Sequence, residues 1–307
     1  MTTPSVPKPR GRGPAAAGLD LLLGPARARF LSKYWPLRPF HHAGPVDRLR
    51  RLTALDALHS VAKLATARAA NYQEFTVFGG NGFAKYMPPR EAMHFYHRGD
   101  NLSCGDLEST IPELRQVLAE LAGELNGPPA HWSCGMFAAG GGRGVTMHYD
   151  PVLTFNVQLH GEKVWRLAPN QHVENPVDAS DNHDDHAPRF ARGPFPTAMP
   201  ADAITLRAKP GSVVFIPRGY WHETDTFGAS LALTFSLRPP TWRDAILTEL
   251  RRQLERDAAW REYPMGSAAG PARRDELIAR LATLLPQLRA IAGSLQADAV
   301  LEVAREP

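Results

Sequence analysis

The chain reads as a mainly β protein, a barrel or sandwich with flanking helices and a helical region at its C-terminal end. Three observations predict this. Short strand-like runs follow one another between Ser133 and Leu237, most of them bounded by Gly or Pro. No helical pattern of the βαβ kind separates them. Helical spacing of apolar residues appears before this block and after it.

Residues 1–18 are rich in Pro, Gly, Ala and Arg and read as a disordered arm. From Leu19 the pattern is helical until Pro36 and Pro39. A second helix is predicted over residues 49–70, with Leu52, Leu55, Leu58 and Val61 at helical spacing. Phe75-Thr76-Val77-Phe78 reads as a strand ended by Gly79-Gly80-Asn81-Gly82. An amphipathic helix covers 111–125, with Pro112 near its start and Asn126-Gly127 at its end. Strands are predicted at 133–138, 146–149, 153–159, 163–167, 204–208, 212–216 and 230–237. Between them, 170–201 is irregular and carries Asp178, Asp181, His183, Asp184, Asp185 and His186; a solvated polar loop is the simpler reading, a metal cluster the other. Residues 242–260 and 274–291 are amphipathic helices, suited to packing on a barrel or to a homodimer face. The domains expected are therefore the arm 1–18, a β domain with N-terminal helices over 19–240, and a helical region over 241–307.

Composition excludes several classes. The net charge of +4 comes with acidic residues throughout, so direct nucleic-acid binding is not expected. Two cysteines, Cys104 and Cys134, form no C-x-x-C and build no disulfide scaffold. No apolar run of about 18 residues occurs, and no signal-peptide pattern opens the chain, so no membrane association and a cytoplasmic location are expected.

The chemistry concentrates in His148-Tyr149-Asp150 and the later His222. Residues two apart on a strand share a face, so His148 and Asp150 point together and Tyr149 points away. His222 ends Gly211-Ser-Val-Val-Phe-Ile-Pro-Arg-Gly-Tyr-Trp-His222, a hydrophobic strand and a Pro-Arg-Gly turn that can bring an imidazole beside the first two ligands. Two histidines and one carboxylate on one face of an ion, with positions left open, mark non-haem Fe(II) oxygenases. The glycine run Gly140-Gly141-Gly142-Arg143-Gly144 leads into a strand rather than a helix and lacks Gly-Lys-Ser/Thr, so it is not a nucleotide loop.

Residues 144–169 resemble the Jumonji C branch of 2-oxoglutarate oxygenases, and within it the ribosomal-oxygenase and cupin-like protein-hydroxylase group. The similarity rests on His148-Tyr-Asp150, on Val157-Gln-Leu-His-Gly-Glu-Lys163-Val-Trp-Arg-Leu167, and on Pro210-Gly211 through His222. Leu22-Leu-Gly-Pro25 through Tyr34-Trp-Pro-Leu-Arg-Pro39 also resembles the entry segment of that group. The resemblance implies a double-stranded β-helix (a jelly-roll or cupin barrel), with Fe(II), 2-oxoglutarate and O₂ as requirements. It makes His148, Asp150 and His222 the metal ligands and catalytic centre. Lys163 matches the basic residue that pairs with the distal carboxylate of 2-oxoglutarate, and Ser230 falls where related hydroxylases place a cosubstrate-binding serine. Strand parity adds Thr154, Asn156 and Gln158 as inward residues, with Phe155, Val157 and Leu159 outward, provided Pro151 introduces no bulge. In 230–236, Ser230, Ala232, Thr234 and Ser236 share a face opposite the leucines and Phe235.

The expected function is hydroxylation of an amino-acid side chain in a peptide or protein, with 2-oxoglutarate decarboxylated to succinate. The same chemistry on a small molecule or free amino acid, N-methyl-lysine demethylation, and a non-catalytic cupin-like binding protein are the alternatives. The residues after Pro240 read as purely helical, where the ribosomal oxygenases of this group carry a winged-helix module after a dimerising helical region, so their target does not carry over.

Overall fold

The computed structural model describes residues 18–78, 84–141, 144–266 and 270–306, and within them every side chain except that of Asp184. Residues 1–17 of the expected arm, the turn at Gly79-Gly80-Asn81-Gly82, and Gly142-Arg143 lie outside the described residues. The chain divides after Arg238 into two compact units.

In the first unit the strands are β1 (Phe40–Ala43), β2 (Phe75–Phe78), β3 (Ala84–Met87), β4 (Asn101–Cys104), β5 (Trp132–Ala139), β6 (His148–Tyr149) and β7 (Leu153–His160). They continue as β8 (Lys163–Ala168), β9 (Ser180–Asp181), β10 (Ile204–Ala208), β11 (Ser212–Ile216), β12 (Trp221–Thr226) and β13 (Ser230–Leu237). They form a larger sheet, β1-β11-β7-β13-β5-β4-β2-β3, and a smaller one, β10-β8-β12-β6-β9. β5, β7, β11 and β13 enter the larger sheet while β6, β8 and β12 enter the smaller. This alternation is the winding of a double-stranded β-helix, the barrel expected from the sequence.

The alternation of residues in β7 and β13 explains how the larger sheet is covered. Phe155, Val157 and Leu159, with Leu231, Leu233 and Phe235, face the main hydrophobic core. Helices α1 (Gly18–Leu23) and α2 (Arg27–Lys33) cover that face. Phe30 of α2 meets Phe155 and Phe215 edge-on, with ring centroids 5.5 and 5.1 Å apart. Pro151 introduces no change of parity: Thr154, Asn156 and Gln158 are buried on the opposite face, toward the smaller sheet. Between the sheets, Trp165, Leu167 and Ala208 pack against Val214 and Ile216 and close the barrel interior.

The helices differ from expectation over 49–70, and over 242–260, where the helix stops at Leu254 and a separate 3-10 turn covers Ala258–Arg261. Residues 49–70 do not form one helix; α3 (Arg50–Thr53) is followed by a break and then α4 (Val61–Ala70). Leu55 is extended, with ψ of 117°, and the Ser60 side chain accepts the Lys63 amide at 3.2 Å, so a new N-terminus starts at Ser60. α5 (Pro89–His97), α6 (Leu107–Thr110) and α7 (Glu113–Glu124) complete the helices of this unit. Asn126, at φ of 54°, ends α7 where Asn126-Gly127 was expected to.

The 170–201 stretch is not a free loop. Val173 and Phe195 join Met147, Tyr149, Ala168 and Trp221 in a second core on the outer face of the smaller sheet. Phe195 and Tyr149 each stand edge-on to Trp221, at 5.1 and 4.8 Å. Its short strand β9 pairs with β6, setting Asp181 opposite His148.

The second unit contains α8 (Trp242–Leu254), α9 (Pro271–Ser294) and α10 (Ala297–Val303). Thr241 and Asp244 form a capping box at the head of α8: the Asp244 amide donates to Thr241 Oγ at 3.2 Å and the Thr241 amide to Asp244 Oδ2 at 3.0 Å. The Thr241 amide, and then the Thr241 hydroxyl and Arg243, donate to the Asp244 carboxyl and hold it down at about 2. Ala245, Val300 and Val303 make a small core of their own. Among the described residues no helix is long and apolar enough to cross a membrane.

Phe30 is the aromatic that joins the N-terminal helices to the sheet. Phe30→Ala should therefore destabilise the protein by about 3–5 kcal/mol. The effect would appear in urea unfolding as a lowered midpoint at unchanged slope.

Candidate active site

β12 lies between β8 and β6 in the smaller sheet, and its antiparallel register with β6 sets His222 directly opposite His148. Paired residues share a face, so both imidazoles point into the barrel. Their rings lie 4.1 Å apart. Asp150 follows β6 immediately, and its backbone carbonyl accepts the Gly219 amide at 2.9 Å, which ties the ligand to the Pro217-Arg218-Gly219 turn. Asp150 Oδ2 stands 3.8 Å from His148 Nε2 and 3.5 Å from His222 Nε2. One ligand atom from each of the three residues falls within 4.8 Å of the others.

Hydrogen bonds orient the rings. His148 Nδ1 contacts the Thr146 carbonyl at 2.6 Å and His222 Nδ1 the Tyr220 carbonyl at 2.9 Å. A carbonyl oxygen only accepts, so each Nδ1 carries the hydrogen and each Nε2 lone pair is directed to Asp150. Burial, and then the neighbouring His222, lowers the His148 pKa to about 4, so that ring is neutral near pH 7. Burial alone would raise the Asp150 carboxyl, but its close contact with His222, and then with His148, holds it below its ordinary value. Imidazole lone pairs and an ionised carboxylate converging on one point fit a divalent transition-metal ion. His222 is nearly buried, whereas the Asp150 side chain is 36% exposed, so one side of the group is open.

Lys163 begins β8, opposite Thr226 of β12 and Ala208 of β10, and its side chain is buried in the barrel. Its Nζ lies 5.7 Å from the Phe137 ring and 6.0 Å from the Trp165 ring. Among the described residues no carboxylate pairs with it, and burial alone brings its pKa down to about 8. An ammonium buried without a counter-ion is costly, and an anionic ligand would offset that cost. Trp165 also lies 6.2 Å from the His222 ring, so the cation and His222 both neighbour one indole.

The other expected residues divide into two kinds. Ser230 is buried on the inner face of β13, and its Oγ has no partner among the described residues. Thr154 and Asn156 are also inside but satisfy one another: Asn156 Nδ2 donates to Thr154 Oγ1 at 3.1 Å, and Thr234 Oγ1 donates to Asn156 Oδ1 at 2.9 Å. The His and Asp residues of 170–201 form no metal-binding group among the described residues; His186 instead contacts Asp181 at 2.9 Å. Sequence reading missed Phe137, Asn101, Thr224 and Thr226, all on the inner faces of their strands. Thr224 and Thr226 stand two and four residues after His222, a period-2 signal that extends the strand beyond the ligand.

Residues 121–245 match the family model of the JmjC domain. An uncharacterized protein, YxbC of Bacillus subtilis strain 168, is 28% identical over 300 residues, which cover 92% of this chain and 90% of YxbC. Ribosomal oxygenase 2 of Bos taurus is 35% identical over 114 residues, covering 35% of this chain and 21% of that protein. The chain thus spans about a fifth of that relative's length. Among solved structures, the ribosomal oxygenase YcfD of Escherichia coli, in complex with cobalt and 2-oxoglutarate, superposes with a TM-score of 0.52 at 20% identity, covering 85% of this chain and 66% of that one. The stretch that resembles the JmjC domain thus contains His148, Asp150 and His222, and the fold around them is similar to that of the Escherichia coli structure.

Proposed function

We propose that this chain is an Fe(II)- and 2-oxoglutarate-dependent oxygenase that hydroxylates an amino-acid side chain in a peptide or protein. The observation that carries the reading is the pairing of an oriented His148–Asp150–His222 group with a buried Lys163, which has no counter-ion among the described residues, across the Trp165 ring. The cobalt and 2-oxoglutarate of the Escherichia coli structure support the cofactor assignment, and the name of the Bos taurus relative supports a protein substrate.

His148 Nε2, His222 Nε2 and an Asp150 oxygen would hold the metal. A bound ferrous ion supplies O₂ activation coupled to oxidative decarboxylation of 2-oxoglutarate to succinate. The Lys163 ammonium pairs with the distal carboxylate of 2-oxoglutarate, a charge-assisted bond strengthened by its dry surroundings. The Ser230 hydroxyl donates to the same carboxylate and so gains the partner it lacks. Thr154 and Asn156, held by Thr234, wall the cosubstrate pocket rather than donate to the ligand. Trp165, Leu167, Val214 and Ile216 keep water from the interior side of the metal. The open side, at Asp150, admits the substrate.

We place the protein in the cytoplasm, where reducing conditions suit a ferrous ion and keep Cys104 and Cys134 as free thiols. We also assign the exposed apolar side chains of the C-terminal helices, Trp242, Leu247, Ile278 and Leu281 among them, to a homodimer contact.

Iron-loaded protein supplied with 2-oxoglutarate and O₂ should form succinate, and a substrate peptide should gain about 16 Da, the mass of one oxygen. His148→Ala should lose both metal binding and succinate formation; turnover that survives this change refutes the assignment. Lys163→Ala should raise the KM for 2-oxoglutarate roughly 10–100-fold.

The pH dependence has a defined sign. Lys163 loses its proton as pH rises through about 8, so affinity for 2-oxoglutarate should fall on the alkaline side. Lys163→Arg, which stays charged, should flatten that limb. Light scattering should give a particle of twice 33.7 kDa, and Leu281→Glu should halve it.

A further inference from the structure

The glycine run before the first metal ligand is the motif that the proposed chemistry leaves unexplained. Its described ends are pressed against other elements, one against helix α5 and the other against strand β12. At one end the Gly140 amide donates to the Asp100 carbonyl at 3.2 Å, and a Cβ on Gly140 would lie 2.0 Å from the Tyr96 carbonyl oxygen. At the other end a Cβ on Gly144 would lie 1.4 Å from the Thr224 carbonyl oxygen, closer than any side chain permits. Asn101 Nδ2 reaches across from the larger sheet to the Gly144 carbonyl at 3.2 Å.

The close approach accompanies a slip in register. Continuing the His148–His222 pairing would bring Thr146 opposite Thr224. Instead the Thr224 amide donates to the Val145 carbonyl at 2.9 Å. The Val145 amide is then accepted at 2.9 Å by the Thr224 hydroxyl, which takes the place of a backbone carbonyl. Thr224 is buried and lies two residues beyond His222 on the same face. The slip gives the chain one extra residue between the Thr224 contact and His148, a local bulge that re-aims the side chains after it. That same bulge brings the Thr146 carbonyl to His148 Nδ1.

We infer that Thr224 is a positioning residue for the metal centre: its side chain locks the bulge for which Gly144 makes room, and so sets the placement of His148 Nε2 relative to His222. The inference rests on the proposed metal assignment. Its chemical content is one hydrogen bond: valine has the shape of threonine without the acceptor, and serine keeps the acceptor.

Cobalt(II) titration of the full chain, followed by visible absorption and calorimetry, tests this without turnover. Thr224→Val should weaken cobalt binding roughly 10–100-fold and change the visible spectrum, as loss of a ligand-orienting contact does. Thr224→Ser should retain wild-type affinity, and the thermal midpoints of the three metal-free proteins should stay close. Thr224→Ala only removes atoms and is read in the same way if the valine variant does not fold. A folded valine or alanine variant with wild-type cobalt affinity and spectrum overturns the inference and leaves the metal assignment standing. Failure of the wild-type protein to bind cobalt overturns both.

Discussion

The contact between β6 and β12 governs this molecule. It sets one imidazole across from another, and the position of Asp150, a residue after β6, depends on it. β12 takes its own place from β8, so Lys163 and His222 lie on one inner surface at a separation fixed by strand geometry. The larger sheet contributes little to the ligand set directly. Its work is to close the barrel, through Val214 and Ile216 against Trp165 and Leu167, so that polar groups placed inside are withdrawn from water.

That interior is uneven in a useful way. At one place Thr154, Asn156 and Thr234 complete one another's hydrogen bonds, as buried polar groups ordinarily do. At another, the Lys163 ammonium and the Ser230 hydroxyl have no such partners among the described residues. Closed networks hold a fold, and open ones await a ligand. The difference separates residues satisfied within the fold from those available to the proposed cosubstrate, a distinction that strand parity alone does not make.

Much of this was legible in the sequence, for physical reasons. Alternation in 153–159 and 230–237 is unambiguous because a sheet with one face on a large core tolerates no one-residue slip. The spacing of His148 and Asp150 and the turn before His222 carried the three residues that the fold brings together as a candidate metal-binding group. β1, β3 and β4 left weaker signals: each is four residues long, and His41, Lys85 or Asn101 interrupts the apolar pattern. The break at Leu55–Ser60 was hidden because apolar spacing continues across it. Packing of 170–201 depends on Phe195 and Val173 meeting Trp221, contacts far apart in the chain that no local pattern announces. The glycine run was recognisable as unusual, but its reason lay in Tyr96 and Thr224, on other elements.

The strand bearing the first ligand is only two residues long. So short a segment has almost no cooperative stability of its own, and its order is borrowed from β12 on one side and β9 on the other. Ion affinity then includes the free energy of freezing this corner, not just the strength of three coordinate bonds. Substitutions along 170–201, which supplies none of the three candidate ligands, thereby gain a means of tuning the affinity of the proposed metal site.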